Sequence, residues 1–314
     1  MRCVILGGSG FLGRHAGRAM AAAGYEVWSV DCTQIEPATE APWLAGQVRA
    51  EFATVHDWWQ ACGAADVVIH LASSTVPATA SADPVLDVQA NLVGNLRLLQ
   101  GLREQSAQGA RPRLLFVSSG GAVYGRPQSV PLSESHPTMP MGAYGVTKLA
   151  VEHHLRIEEA THGLAYRVLR LSNPYGEWQR PQGVQGVIAV FAHRALHGLP
   201  VEVWGDGSVV RDFVYAADVG QAFVAAARHD GGSRVFNIGG GTGHSVNHII
   251  ATLEQLLGRP LERKRFAARP FDPPVNVLDI QRARDELGWR PTIAFEEGVA
   301  RALEWLRTVP HESH

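Results

Sequence analysis

The sequence predicts an α/β fold, a doubly wound parallel sheet with a smaller α/β lobe beside it. Three observations point there. Short apolar, β-branched runs alternate with helical stretches through the first half. The first of these runs passes through a glycine-rich turn straight into the first helix. After Leu171 the texture changes to a region rich in glycine, proline and aromatic residues.

The elements follow in order. Strands are expected at Arg2–Gly7, Glu26–Asp31, Asp66–Leu71, Arg113–Ser118 and Ala165–Leu171, with helices at Phe11–Ala23, Val55–Cys62, Pro84–Ser106 and Ala143–Thr161. Strands separated by helices of this length read as βαβ units, hence a parallel sheet covered on both faces with right-handed crossovers. The stretch NPYGEWQRPQG that follows Leu171 holds too many breakers to continue that sheet. Beyond it the pattern gives a helix at Val187–His197 and strand-like pieces at Val201–Trp204 and Val209–Val214. A helix at Ala217–Arg228, a strand at Val235–Ile238 and helices at Ser245–Leu257 and Glu296–Arg307 complete the chain. The expected division is a nucleotide-binding Rossmann domain over 1–174, to which 213–240 returns, and a substrate lobe over 175–212 and 241–310. That lobe is expected to close over the C-terminal edge of the sheet.

Bulk properties narrow the function. With 314 residues, 46% hydrophobic, 18% charged and a formal net charge of −2, the chain has ordinary globular composition and no broad attraction for a polyanion. Neither nucleic acid nor membrane is expected as a partner. Cys3, Cys32 and Cys62 are odd in number and lack CxxC spacing, which argues against a disulfide scaffold or zinc site and for a reducing cytoplasm. The start MRCVILGGSGFLG is basic and then apolar, but its glycines interrupt the run, so a signal peptide is not expected. The 14 histidines are scattered, and the adjacent pair His153 and His154 points in different directions on a helix, so no metal is expected.

The turn Gly7-Gly8-Ser9-Gly10-Phe11-Leu12-Gly13 carries the first chemical signal. Gly10 and Gly13 suit close approach to a pyrophosphate and tight helix–strand packing, and the helix N-terminus offers free N–H groups. Asp31, at the end of the second strand, is placed to accept both ribose hydroxyls of NAD and to repel the extra phosphate of NADP. The second signal is Tyr144-Gly-Val-Thr-Lys148, with phenol and ammonium one turn apart on a helix face. A neighbouring cation favours phenolate and is expected to lower the Tyr144 pKa toward working pH, making it a general base.

These motifs come with others. His70-Leu71-Ala72, Ser118-Ser119-Gly-Gly-Ala-Val-Tyr124-Gly125, Arg170-Leu-Ser-Asn173-Pro-Tyr-Gly176, Trp204-Gly-Asp-Gly-Ser-Val-Val-Arg211-Asp212-Phe and Val235-Phe-Asn-Ile-Gly239 extend the set over nearly the whole chain. Together they resemble the extended short-chain dehydrogenase/reductase family, and within it the NAD-dependent nucleotide-sugar epimerases of the UDP-galactose 4-epimerase type.

The resemblance implies roles. Tyr144 would take the proton of the sugar 4-hydroxyl as hydride passes to NAD, and Lys148 would hold the nicotinamide ribose and tune Tyr144. Ser119 would bind the same sugar oxygen, with Ser118 in reserve, because SSGGAVYG, counted back from Tyr124 against SSSATVYG, puts Gly120 where a serine is expected. Gly7, Gly10, Phe11, Leu12, Gly13, Asp31, Leu71, Ala72, Ser73, Asn91 and Ser118 would line the cofactor, with Asn91 beside the nicotinamide. Asn173, Arg211 and Arg269 would contact the substrate phosphates and Asp272 the substrate ribose. The adenine pocket departs from the family pattern, since Glu51-Phe52 stands nearest to its usual Asp-Ile or Asp-Val.

Simpler readings stand beside these. Ser118 and Ser119 satisfy backbone groups at a strand end. Arg211 and Asp212 form a surface pair. Asn173 opens a turn before proline. Trp58 and Trp59 read as packing or surface residues.

The reaction type follows from one loop. Dehydratases and decarboxylases of the family carry acids between the serines and the following tyrosine, whereas Gly120-Gly121-Ala122-Val123 has no ionisable group. Epimerisation at C4 through a 4-keto intermediate is the simplest remaining chemistry, on a UDP-hexose or, given Asn276 in place of a bulky tyrosine, a UDP-N-acetylhexosamine. The competing readings are a nucleotide-sugar 4-reductase or dehydrogenase and a non-catalytic dinucleotide sensor. Helices near Pro84–Ser106 and Ala143–Thr161 resemble those of the family's four-helix interface, so a homodimer is expected.

Overall fold

The apolar run Cys3–Leu6 is wholly buried because it lies inside the main sheet and alternates between its two faces. Cys3 and Ile5 join one core with Met20, Ile69, Leu115 and Phe223, while Val4 and Leu6 join another with Trp58, Val68, Leu98 and Phe116. The structure, a computed structural model, describes residues 1–35, 40–181, 186–268 and 273–309.

Seven parallel strands form this sheet. They begin with β1 (Arg2–Leu6), β2 (Glu26–Asp31), β3 (Gly46–Arg49), β4 (Val67–His70), β5 (Arg113–Ser119) and β6 (Tyr166–Leu171). Later in the chain come β7 (Asn173–Tyr175), β8 (Val201–Trp204), β9 (Val210–Tyr215), β10 (Val235–Ile238), β11 (Gly243–Ser245), β12 (Arg263–Phe266) and β13 (Val275–Asn276). The main sheet has the order β10-β6-β5-β4-β1-β2-β3. Strands β4 and β6 are buried along their whole length, as strands covered on both faces must be.

The helices are α1 (Phe11–Ala22), α2 (Val55–Cys62), α3 (Pro77–Ala82), α4 (Pro84–Asp87), α5 (Gly94–Ala107), α6 (Ala143–His162), α7 (Val187–Leu196), α8 (Ala216–Arg228), α9 (Val246–Leu257), α10 (Gln281–Leu287) and α11 (Phe295–Thr308). Helices α1 and α8 cover one face of the sheet and α2, α5 and α6 the other. Gly220 lets α8 lie directly on α1, since a Cβ there would come 2.8 Å from the His15 carbonyl oxygen. Trp58 and Trp59 are both buried in the second core.

A four-stranded sheet, in which β9 pairs with β7, β11 and β13, is backed by α7, α9 and α11 around Phe191, Ile250, Val299 and Leu303. Strands β8 and β12 form a separate parallel pair.

Several local features differ from the sequence pattern, the edge strand β3 among them. The expected continuous helix from Pro84 is interrupted by a π turn at Val88–Val93, centred on Asn91. The Asn95 side chain donates to the Asn91 carbonyl (2.7 Å) inside it. The breaker-rich stretch opens with a real strand, because Asn173–Tyr175 pairs with Phe213–Tyr215. That pairing places 213–215 in the smaller sheet, and α8 begins at Ala216 directly after it.

Candidate active site

The loops that leave the C-terminal ends of β1, β4, β5 and β6 gather along one sheet edge, where open α/β folds bind ligands. The glycine turn sits there, and its three spaced glycines meet different constraints. Gly7 has φ +86°, and a Cβ on it would lie 2.9 Å from the Ala72 nitrogen, so the loop at Leu71 and Ala72 presses directly on the turn. A Cβ at Gly13 would come 2.3 Å from the Gly7 carbonyl oxygen and 2.6 Å from backbone carbons of Gly8. Gly10 is different: its nearest neighbour would be the Gly7 carbonyl oxygen at 3.4 Å, so the space in front of it is open. Gly10 is also the N-cap of α1, which has no side-chain cap and no acid in its first turn. The end of α1 is therefore a ready anion site. Asp31 lies across the turn and accepts from the Ser9 N–H (3.1 Å) and the Thr33 N–H (3.3 Å).

Helix α6 presents Tyr144 and Lys148 at the same edge. The Lys148 ammonium donates to the Val117 carbonyl oxygen (3.1 Å), and it stands 5.0 Å from the Phe116 ring centre and 5.6 Å from that of Tyr144. Burial pushes its pKa down to about 8, opposed by the negative charges of Asp87 and Glu152. Tyr144 departs from expectation. Burial, with the charge of Asp87 added, pushes the phenol up to about 12 rather than down. Desolvation outweighs the ammonium, whose hydrogen bond goes to Val117. His70 is buried between Phe52 and Phe116, and burial, with the Lys148 charge added, pushes it down to about 3.

The two serines at the end of β5 have separate surroundings. Ser118 is buried, and its hydroxyl donates to Glu152 Oε1 (2.5 Å). Glu152 in turn takes a bidentate pair from Arg170, with Nη2 to Oε2 at 2.6 Å and Nε to Oε1 at 3.1 Å. Ser118 thus ties β5 to α6, and together with Ser119 it lines the adjoining cavity. Ser119 is only partly buried and faces a cavity of about 570 Å³.

Phe11, Leu12, Ser119, Tyr144, Asn173 and Arg211 line this cavity together. Asn173 and Arg211 enter it from β7 and β9. Asn173 donates to the Asp212 carbonyl oxygen (2.8 Å), and Arg211 Nη1 donates to the carbonyls of Val210 (2.9 Å) and Pro273 (2.8 Å). Arg211 and Asp212 do not form a surface pair, because neighbours on a strand point to opposite faces. Asp212 is fully buried and accepts the N–H groups of Gly240 (2.6 Å), Leu278 (3.1 Å) and Gly241 (3.3 Å).

Other expected residues surround the cavity without lining it. Asn91 is buried, accepts from the Ser74 N–H (3.0 Å) and donates to Thr75 and Asp87 (both 2.8 Å). Ser73 donates to the Thr75 carbonyl (2.9 Å). Asn276 is buried against the Gly120 carbonyl. Phe52 lies at the end of β3 against His70 and Gly94. Arg269 and Asp272 lie outside the described residues.

Sequence reasoning missed Pro77, Tyr175, Gln179, Ile188 and Phe213, which also line the cavity. Phe213 was discoverable, since it stands two residues after Arg211 on a strand and so shares its face. Pro77 had no such signal. Among the described residues no cluster of three His, Cys, Asp or Glu side chains is placed to hold a metal, and no helix is long and apolar enough to cross a membrane.

Known proteins share this fold. The UDP-glucose 4-epimerase of Thermotoga maritima, solved with UDP-glucose, superposes with a TM-score of 0.89 at 32% identity, over 98% of this chain and 99% of that one. The UDP-glucose 4-epimerase of Thermus thermophilus, solved with NAD, gives 0.89 at 32% identity over 99% and 100%. A dTDP-4-dehydro-6-deoxyglucose reductase of Escherichia coli is 34% identical over 247 residues, 76% of this chain and 74% of its own length. The pattern of the NAD dependent epimerase/dehydratase family matches residues 3–239, which takes in the glycine turn, Ser119, Tyr144, Lys148 and the strands that carry them, and the chain belongs to that family.

Proposed function

We propose that the chain is an NAD-dependent epimerase that inverts C4 of a nucleotide-activated hexose, a UDP-sugar by preference. One observation carries this reading. The cavity joins Tyr144 and Ser119 to Asn173 and Arg211, and the loop between the serines and Tyr124 holds no acid or base to drive elimination.

The residues fit NAD. The open space at Gly10 and the uncapped α1 end suit a pyrophosphate, Asp31 suits the adenosine ribose, and Lys148 suits the nicotinamide ribose. Leu71, Ala72, Ser73 and Asn91 are assigned to the cofactor by family resemblance, and the Leu71–Ala72 backbone lies against Gly7. When bound, NAD supplies the hydride acceptor, later the donor, and a positive ring charge that favours phenolate at Tyr144. Tyr144 takes the proton from the C4 hydroxyl and returns it after the 4-ketone has turned its other face. Ser119 hydrogen-bonds the same oxygen as its charge changes. Asn173 and Arg211 hold the diphosphate, so binding remote from C4 retains the intermediate. Family resemblance assigns Arg269 to the same phosphates and Asp272 to the substrate ribose.

Exposed apolar side chains on neighbouring helices, Leu86, Val93 and Leu96 beside Val146 and Ile157, support a homodimer through these helices. The three free cysteines support a reducing, cytoplasmic setting.

The test is NMR of UDP-galactose, UDP-N-acetylgalactosamine and UDP-galacturonic acid incubated with the protein and no added reductant. The C4 epimer is expected to form, and to be lost in Tyr144→Phe. Turnover of a 4-keto sugar that requires NAD(P)H, with no epimer from any of the three, would replace this reading with the reductase.

A further inference from the structure

A buried carboxylate behind the reacting groups has no role in the chemistry described so far. Asp87 is 0% exposed, and no arginine or lysine pairs with it at ion-pair distance among the described residues. Three donors meet it instead. The Thr75 hydroxyl and the Asn91 amide (2.8 Å) donate to Oδ1, and the Thr147 hydroxyl donates to Oδ2 (2.5 Å). Thr75 donates to Asp87 while its oxygen accepts the other Asn91 N–H (2.8 Å). Three donors with no acceptor suit an acceptor-only carboxylate.

The donors come from three places: the loop after β4, the π turn, and α6 between Tyr144 and Lys148. Asp87 therefore fastens the helix that carries both reacting groups to the loop that presses on the glycine turn. We propose that Asp87 is a positioning residue for this site, joining α6 to the Ser73–Thr75 loop and supplying the counter-charge that keeps the buried Lys148 an ammonium ion. The proposal rests on the reading of Tyr144 and Lys148 as the reacting pair, but its test does not require turnover.

Other groups face Lys148 from each packed element. Glu152, one turn along α6, is neutralised by Arg170 of β6 and bonded to Ser118 of β5. His70 of β4 is held neutral by burial. Phe116 and the Val117 carbonyl complete the β5 side. Among these groups Asp87 is the remaining negative one without a cationic partner of its own. Its charge raises Lys148 and Tyr144 alike, favouring ammonium and phenol together.

The chain has two lysines, Lys148 and Lys264. Protein labelled with ¹³C-lysine gives two ε-carbon signals, assigned by Lys264→Arg. In the wild type the Lys148 signal is expected to titrate near pH 8. In Asp87→Asn, and in the shorter neutral Asp87→Ser, the midpoint is expected to fall by about 1 pH unit or more, while Lys264 stays unchanged. A purely structural role would lower the melting temperature without moving that midpoint. An unmoved Lys148 midpoint in either folded variant overturns the proposal. So does a wild-type midpoint below pH 6, which needs no variant to fold. Inactivity of the wild type in the epimer assay would remove the functional reading but leave this titration intact.

Discussion

Replacing Gly13 and Gly10 separately by alanine separates packing from binding at the same turn. At Gly13 the new Cβ would sit 2.3 Å from a carbonyl oxygen and 2.6 Å from two backbone carbons, about 1 Å inside ordinary contact. None of these is the end of a flexible side chain, so α1 must move off the turn. Overpacking of this kind costs about 1–3 kcal/mol, or a melting temperature lower by a few degrees in a protein of this size. At Gly10 the backbone is extended (φ −74°, ψ 176°), which alanine adopts freely, and the Cβ clears everything by 3.4 Å or more. The loss of N-cap preference and the gain from a stiffer unfolded chain are each about 0.4–1 kcal/mol and nearly cancel. Gly10→Ala should therefore melt like the wild type. Its methyl would fill the space assigned to the pyrophosphate, and NAD should bind at least about tenfold more weakly, a loss of about 1.4 kcal/mol. Thermal melts by circular dichroism and calorimetric titration of cofactor-stripped protein with NAD measure both. The reasoning fails if Gly10→Ala melts as low as Gly13→Ala, or if it binds NAD as tightly as the wild type.

Two further outcomes are expected. Ser119→Ala should lower kcat by about 10- to 100-fold with little change in melting temperature, whereas Ser118→Ala removes a donor to the buried Glu152 and should cost about 1–3 kcal/mol of stability; kinetics and melts showing the reverse would exchange the two roles. Leu86→Lys with Ile157→Lys should convert a sedimenting dimer into a monomer, and unchanged sedimentation would place any interface elsewhere.

The sequence and the structure divide the description of this protein along a physical line. Hydrophobic alternation and helix periodicity are local, so the strands around Cys3, Val68 and Leu115 and the long helices other than the one broken at Val88–Val93 were legible within one or two residues at each end. The glycine turn was legible because three glycines at that spacing after a strand answer a single steric demand. Elements whose existence depends on a partner were not. Gly46–Arg49 is a four-residue, half-exposed edge strand that exists because Trp28–Asp31 lies beside it. Asn173–Tyr175 contains a proline and is a strand only through its pairing with β9.

The site followed the same division. Tyr144 and Lys148 were visible in their helical spacing, and Ser119 in its family motif. What the Ser118 hydroxyl bonds was decided by Glu152 and Arg170, two side chains brought under it from α6 and β6. The rise of the phenol pKa was decided in the same way, since burial and the charge of Asp87 are properties of packing that no i to i+4 spacing encodes. The sequence by itself determined which residue types the chemistry has available and the sheet that carries them. Only the tertiary structure decided which of them face the cavity, because desolvation and long-range hydrogen bonds act between elements far apart in the chain.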